Sequence, residues 1–132
     1  MKTAIIGSGA MGSLYGGMMS LAGQDVVLFD VFEEHVEKVQ RDGLVIEDAA
    51  TGSVVTAHPA ASADPRAVRG ADVFIVFVKS TATETAAVRF KEYAGPRTIV
   101  LTLQNGLGNE AIIRKHFSPS RTAAGVTSQG AT

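Results

Sequence analysis

Three glycines near the N-terminus have the spacing of a loop that binds phosphate groups. After an apolar segment over residues 2–6, the chain reads Gly7-Ser8-Gly9-Ala10-Met11-Gly12. The first glycine of this pattern permits a sharp turn, the second lets the main chain approach a pyrophosphate, and the third lets a helix pack closely on a strand. The helix that follows would direct its free N–H groups at the phosphates. No G-K-[ST] follows, which argues against a loop that hydrolyses nucleoside triphosphates. A tight strand-to-helix turn without a ligand is the simpler alternative.

Asp30 follows a second apolar segment and lies 23 residues after Gly7 (30 minus 7). This spacing is close to that of the acid that binds the adenosine ribose in dinucleotide-binding units. A carboxylate at this place accepts hydrogen bonds from the ribose hydroxyls and repels a 2′-phosphate. No lysine or arginine lies between Asp30 and Lys38. The pattern therefore favours NAD as the cofactor, with NADP as the alternative, while a solvated strand end or a helix cap is the simpler interpretation of Asp30.

Two further polar residues follow predicted buried strands. Lys79 comes directly after six apolar residues, 73–78, and Asn105 lies in Gln104-Asn105-Gly106, after the apolar segment 98–103. In open parallel sheets, ligands bind outside the carboxyl ends of the strands. At such a site Lys79 would face an anionic substrate or a cofactor ribose. Asn105 could orient a nicotinamide ribose or a carbonyl, because its amide both donates and accepts. Taken singly, each could also be a loop residue or a strand-end cap.

Strand-like and helix-like segments alternate along the whole chain. The pattern predicts helices over residues 10–22, 33–41, 81–93 and 109–117. It predicts core strands over residues 2–6, 26–29, 73–78, 98–103 and 121–126. Residues 44–47 and 53–57 are predicted to form a hairpin, and residues 58–70 a loop with a brief helical turn. This order predicts one α/β domain over residues 1–132, a Rossmann-type, doubly wound, mostly parallel sheet.

Composition is that of an ordinary globular protein and limits the classes of partner. Of 132 residues, 45% are apolar and 19% charged, with a formal net charge of −1,. The absence of a Lys/Arg run argues against nucleic acid and anionic membranes as partners. No apolar stretch approaches the roughly 18 residues of a membrane span. No cysteine is present, and no His/Asp/Glu cluster has ligand spacing, so no metal is expected. The first strand begins at once without a signal peptide, so a cytoplasmic location is expected by elimination.

Taken together, these motifs resemble those of the ketopantoate reductase (2-dehydropantoate 2-reductase) family. The resemblance covers essentially the whole chain and includes four segments: Gly7 to Ser13, Val78-Lys79-Ser80, Gln104-Asn105-Gly106, and Gly125-Val126-Thr127-Ser128-Gln129-Gly130-Ala131. It implies hydride transfer from a nicotinamide cofactor to the ketone of a small 2-oxo acid, on the route to pantothenate. It also implies that Lys79 and Asn105 are the active-site lysine and asparagine of the nucleotide domain, where they hold nicotinamide and substrate in register.

The chain departs from the family pattern in two ways. Family members typically use NADPH and carry an arginine after the second strand, whereas Asp30 resembles NAD-preferring relatives that act on other 2-oxo acids. The family also has a second, mostly helical domain, which supplies the proton-donating lysine, substrate-binding residues and most of the dimer contact. We therefore expect the chain to be the N-terminal part of a longer, homodimeric enzyme and to be inactive alone. His35, His58 and His116 are expected to be solvated and not to replace the missing acid.

Two alternatives to a 2-oxo acid reductase stay open from the sequence. One is a stand-alone, non-catalytic module that binds or senses NAD. The other is the cofactor domain of a different dehydrogenase, acting on another 2-hydroxy acid, a 3-hydroxy acid or glycerol phosphate. The combination of Lys79 with Gln104-Asn105-Gly106 counts against the second.

Overall fold

A six-stranded parallel sheet forms the centre of the protein. The computed structural model describes residues 1–128 and 130–132. The strands are β1 Lys2–Ile6, β2 Asp25–Phe29, β3 Leu44–Glu47, β4 Val54–Ala57, β5 Ala60–Ser62, β6 Val73–Val76, β7 Ile99–Thr102 and β8 Thr122–Ala124. In the main sheet the order is β5-β2-β1-β6-β7-β8, and every neighbouring pair is parallel. Strands β3 and β4 form a separate antiparallel hairpin.

Helices cover both faces of this sheet. They are α1 Ala10–Leu21, α2 Glu33–Asp42, α3 Thr83–Phe90 and α4 Asn109–His116, with single 3₁₀ turns at Pro65–Val68, Ser80–Ala82, Lys91–Tyr93 and Pro119–Arg121. One core cluster packs Phe74 of β6 with Phe90 of α3 and Ile113 of α4. The other packs Leu28 of β2 with Val39 of α2. Because neighbouring residues of a strand face opposite sides, these two clusters confirm the predicted doubly wound α/β fold.

Helix α1 lies unusually close to its neighbours because glycines form the contact. A Cβ at Gly16 would lie 2.2 Å from Cδ2 of Leu28 in the sheet. A Cβ at Gly17 would lie 2.8 Å from Cδ1 of Ile46 in the β3–β4 hairpin. Real Cβ atoms do not approach other atoms this closely. The backbone of α1 therefore lies directly against side chains of the sheet on one side and of the hairpin on the other.

The structure differs from the sequence prediction at several element boundaries. Residues 60–62, predicted as loop, form β5, which pairs with β2 in the register Val27↔Ala60. Strand β6 ends at Val76 rather than at residue 78. The predicted helix 81–93 is split into α3 between two 3₁₀ turns, and the last strand is shorter than predicted. Gln129, part of the C-terminal family motif, lies outside the described residues.

We also find that no helix in residues 1–128 and 130–132 is long and apolar enough to cross a membrane.

Candidate dinucleotide-binding and active site

The glycine loop is a tight turn between β1 and α1, held by main-chain and serine hydrogen bonds. Gly7 has φ of 97°, a conformation that glycine adopts at little cost,. Its N–H donates to the carbonyl of Phe29 at 2.9 Å. The Ser13 hydroxyl donates to the carbonyl of Ser8 at 2.8 Å. A Cβ at Gly7 would lie 2.8 Å from the backbone nitrogen of Val78, so this loop touches the segment that leads to Lys79.

Gly9 and Gly12 face different surroundings. A Cβ at Gly12 would lie 2.0 Å from the carbonyl oxygen of Gly7, so this glycine lets α1 pack against the loop. A Cβ at Gly9 would have no atom within 4 Å, so that position opens onto free space at the start of α1. No side chain caps α1, and its first turn holds no acidic residue. Ala10, at the start of α1, is exposed, and Met11 is half-buried. The arrangement fits a pyrophosphate bound over Gly9 by helix N–H groups.

Asp30 connects the end of β2 with the glycine loop. Its Oδ2 accepts hydrogen bonds from the Ser8 backbone N–H at 2.8 Å and the Ser8 hydroxyl at 3.3 Å. Its Oδ1 accepts from the Phe32 N–H at 3.0 Å, just before α2. An ionised carboxylate has about four acceptor sites, so Oδ1 keeps room for a further hydroxyl. Asp30 thus closes the turn between β2 and α2 without capping an N–H of the helix itself, and it also presents an oxygen beside the glycine loop.

The order of the strands places the candidate residues in sequence along one edge of the sheet. Strands β2, β1, β6 and β7 are consecutive neighbours. Asp30 follows β2, the glycine loop follows β1, and Lys79 and Asn105 come after β6 and β7. The carboxyl ends of parallel strands share an edge, which is the ligand-binding edge of such sheets. All the candidate residues therefore lie along the surface where an extended dinucleotide would bind.

Lys79 and Asn105 lie on loops that contact each other. The Ser80 hydroxyl donates to the carbonyl oxygen of Asn105 at 2.8 Å. Both Lys79 and Asn105 are exposed. Within residues 1–128 and 130–132, neither side chain forms a hydrogen bond or an ion pair. A charged amine and an amide are thus available at the same place for a ligand that the chain itself does not supply.

A group of polar side chains that the sequence pattern did not reveal lies beneath these two residues. Thr83, at the start of α3, is fully buried, and Asn109, at the start of α4, is 4% exposed. The Thr83 hydroxyl donates to Asn109 Oδ1 at 2.8 Å, and Gln104 Nε2 donates to Thr83 Oγ1 at 2.9 Å. Thr and Asn are ordinary residues at helix starts. The available signal was that each opens the helix directly after one of the two candidate loops.

The expectation that all three histidines are solvated is wrong for two of them. His58 is exposed as expected. The side chain of His116 is 19% exposed, and its Nε2 lies 2.7 Å from Oε1 of Glu84, so it links α4 to α3. His35 is half-buried, and its Nε2 has no partner among the described residues. A charged helix predicts exposure only on the face turned away from the core, and these two side chains lie closer to it.

Comparison with known proteins gives the family. The model of the family described as ketopantoate reductase PanE/ApbA matches residues 3–132. A 2-dehydropantoate 2-reductase of Halobacterium salinarum is 36% identical over 132 residues, which is 99% of this chain and 43% of that protein. A PanE/ApbA family ketopantoate reductase from Ralstonia eutropha JMP134 superposes with a TM-score of 0.84 at 36% identity, over 96% of this chain and 40% of that one.

A D-mandelate dehydrogenase solved with NADH and anilino(oxo)acetate is similarly close. It gives a TM-score of 0.86 at 32% identity, over 98% of this chain and 41% of its own. In each of these comparisons the chain spans less than half the length of its relative. The relatives are oxidoreductases by name, and the match covers nearly every residue of the chain. With the glycine loop, Lys79 and Asn105 at one sheet edge, this chain belongs to the ketopantoate reductase PanE/ApbA family.

Proposed function

We propose that this chain is the cofactor-binding domain of an NAD-dependent reductase of small 2-oxo acids. One observation carries the proposal: the glycine loop, Asp30, Lys79 and Asn105 follow four consecutive parallel strands, and the last two side chains are exposed without a partner in the described chain. When bound, the reduced nicotinamide would supply the hydride for the ketone carbon. Every other contribution comes from the protein as binding and orientation.

The glycine loop and Asp30 would hold the adenosine half of the cofactor. The segment Gly7-Ser8-Gly9-Ala10-Met11-Gly12 offers free space over Gly9 and the positive end of α1 to the pyrophosphate,. Asp30 would accept hydrogen bonds from the adenosine ribose. Its carboxylate is already oriented by Ser8 and Phe32, so little conformational entropy of the Asp30 side chain would be lost when the cofactor binds.

The choice of NAD over NADP rests on the fixed position of Asp30. A 2′-phosphate would bring further negative charge against this carboxylate, and like charges at close range are unfavourable. Support comes from the relative solved as D-mandelate dehydrogenase with NADH, which is 32% identical to this chain. NADP is the second choice, since it is the cofactor implied by the wider family resemblance.

Lys79 and Asn105 would act at the nicotinamide end. The ammonium of Lys79 suits a carboxylate or a polarised carbonyl oxygen of a 2-oxo acid, because it is a compact charge with three donors. The amide of Asn105 would orient the nicotinamide ribose or the substrate carbonyl. Anilino(oxo)acetate, present in the D-mandelate dehydrogenase structure, is itself an oxo acid derivative. We propose a 2-oxo acid as the substrate class, with ketopantoate as one member.

We further propose that the complete reaction needs protein beyond these 132 residues. The relatives are more than twice as long as the matched segment. Among the described residues, none of the three histidines forms a hydrogen bond with Lys79 or Asn105, so we assign the proton donor to none of them. The proton donor, the remaining substrate contacts and a homodimer interface would lie in the additional part.

Calorimetric titration of the chain with NADH and NADPH tests the proposal. We expect tighter binding of NADH. Asp30→Ala should narrow the difference in affinity between NADH and NADPH, because it removes both the ribose contact and the repulsion of a 2′-phosphate. Asp72→Ala is the matched control, since Asp72 also accepts a backbone N–H, from Lys2 at 2.8 Å, but before β6 and away from the site. Binding of neither cofactor would refute the proposed function, and tighter binding of NADPH would refute the role of Asp30.

A further inference from the structure

A connected group of side chains lies directly beneath Lys79 and Asn105, all of them buried or half-buried except the exposed Ser80. We call it the amide cluster and define it as Ser80, Thr83, Gln104 and Asn109. Asn109 Nδ2 lies 3.2 Å from Ser80 Oγ, 3.2 Å from the carbonyl oxygen of Asn105 and 3.4 Å from that of Gly106. Gln104 Nε2 donates both to Thr83 Oγ1 and to the carbonyl oxygen of Val78.

The direction of each hydrogen bond in the amide cluster is determined by its neighbours. Carbonyl oxygens only accept, so Asn109 must turn its NH₂ group to Asn105 and its oxygen to Thr83. The Thr83 hydroxyl must then donate to Asn109 and accept from Gln104 Nε2. The oxygen of Gln104 is left to accept from the Thr102 hydroxyl, at 2.9 Å. A network with one consistent arrangement holds its members in one geometry.

The amide cluster fixes the backbone on both sides of Lys79. Val78, the preceding residue, is held through its carbonyl by Gln104. Ser80, the following residue, is held through its hydroxyl by the carbonyl of Asn105. The Lys79 backbone therefore cannot shift relative to the loop after β7 without breaking hydrogen bonds to that loop.

The loop that carries Asn105 needs such ties from outside. Gly106 and Gly108 have φ of 104° and 90°, and Leu107 between them is fully exposed. Glycines lose more conformational entropy on ordering than other residues, and an exposed leucine provides no packing. The two hydrogen bonds that converge on the carbonyl of Asn105, from Ser80 and Asn109, are thus the contacts that hold this residue in place.

We propose that Thr83 and Asn109 are positioning residues that set the distance between Lys79 and Asn105 for the nicotinamide half of the cofactor. The inference rests on the proposed function, because it assigns the nicotinamide to these two side chains. It assigns no contact with the cofactor to the amide cluster itself, which acts through the backbone of the two loops.

The test compares the binding of NADH with that of ADP, which has the adenosine and both phosphates but lacks the nicotinamide and its ribose. Thr83→Val keeps the shape and removes the hydroxyl. It should weaken the binding of NADH by about 3- to 10-fold, the effect of roughly one hydrogen bond, and leave the affinity for ADP unchanged. Thr83→Ser should restore NADH binding. Asn109→Asp should weaken the binding of NADH more than Thr83→Val does, because its carboxylate would face two carbonyl oxygens.

Two further variants separate positioning from a general loss of structure. Thr98→Val is the matched control: Thr98 is 3% exposed and its hydroxyl also donates once and accepts once, but it precedes β7 at the opposite edge. It should affect neither ligand. Ser80→Ala alters an exposed residue and so preserves the fold, while removing one tie to Asn105. It should weaken NADH selectively, like Thr83→Val.

Four results would overturn the inference. Equal weakening of NADH and ADP by Thr83→Val and Ser80→Ala would show a general structural role, and unchanged binding of both ligands would show no role. If the unaltered chain bound ADP and NADH equally well, the assignment of the nicotinamide to Lys79 and Asn105 would fail. Failure to bind either ligand would refute the proposed function, and the inference with it.

Discussion

A methyl group added at Gly9 should weaken dinucleotide binding without unfolding the protein. Gly9 has φ of −66° and ψ of −161°, which alanine also adopts,. Its added Cβ would meet no atom within 4 Å. Alanine before a helix is less favourable for stability than glycine by up to about 1 kcal/mol. It also lowers the conformational entropy of the unfolded chain, which stabilises the folded state by about 0.4–1 kcal/mol. These effects nearly cancel, so the melting temperature should change by less than about 5 °C.

The same methyl group would occupy the space assigned to the pyrophosphate. Forcing an extra methyl group into a filled site costs about 1–3 kcal/mol, which corresponds to about 5- to 150-fold weaker binding of NADH. Calorimetric titration measures the affinity and thermal unfolding followed by circular dichroism measures the stability of the same sample. Gly9→Ala should therefore separate the two quantities.

Gly12→Ala is the control with the opposite result. Its Cβ would lie 2.0 Å from the carbonyl oxygen of Gly7, and backbone atoms cannot yield as a flexible side chain does. Stability should fall by about 1–3 kcal/mol or more, even without ligand. Wild-type affinity of Gly9→Ala for NADH would refute the placement of the pyrophosphate over this glycine. So would a loss of stability in Gly9→Ala as large as that in Gly12→Ala.

Three further substitutions test single contacts. Lys79→Ala should leave the free energy of unfolding within about 0.5 kcal/mol of wild type in urea titrations, because its side chain is exposed and unpartnered in the described chain, yet weaken NADH binding. Glu84→Gln should lower the free energy of unfolding by up to about 1 kcal/mol, since it removes the charge facing His116 at 2.7 Å. Arg66→Met should raise the pKa of Asp64, which its hydrogen bond from Arg66 holds below the ordinary 3.8. The stabilisation of the folded protein by this ion pair is present at pH values above the pKa that Asp64 has in the unfolded chain, and it is lost as the pH falls through the lower pKa of the folded protein. A carboxyl NMR titration measures the pKa of Asp64 in both proteins.

Two of these substitutions have a matched control within the chain. Lys91→Ala alters another exposed lysine and should leave NADH binding unchanged; equal effects of the two lysine substitutions would contradict the role of Lys79. Arg41→Met should raise the pKa of Asp42, its own partner, and leave that of Asp64 unaltered. A Glu84→Gln variant as stable as wild type would show that the contact with His116 contributes nothing measurable.

The sequence predicted the elements whose pattern is local. The helices, the buried parallel strands and the glycine turn all have periodicity or residue types that identify them within about ten residues. Strand β5 has no such signal, because Ala60–Ser62 is short and lacks β-branched residues. Its conformation comes from pairing with β2 and from the hydrogen bond that Gln40 donates to the carbonyl of Ala61. Neither contact is visible in the local sequence.

The remaining differences also arise from contacts distant in sequence. The apolar run 73–78 follows burial more than strand pairing: β6 ends at Val76, the Phe77 N–H still donates to the carbonyl of Ile6 at 2.8 Å, and the Phe77 ring packs on Tyr15 with the centroids 5.1 Å apart. Thr83 and Asn109 are 26 residues apart, so their partnership depends on two helices meeting in the folded chain. The four loops of the candidate site were predictable because each follows a strand of the parallel sheet. The side chains beneath them were not.

The order of strands along the sheet has a consequence for how this site can change. Strands in a sheet are about 4.8 Å apart, so the end of β2 and the end of β7 are separated by three spacings, or roughly 14 Å. Substitutions more than about 7–10 Å apart without shared partners usually have additive effects. Asp30 and Asn105 share no partner among the described residues. The proposed cofactor preference could therefore be altered at β2 while the geometry around the proposed substrate site at β7 stayed as it is, and the two properties would be free to diverge separately between related proteins.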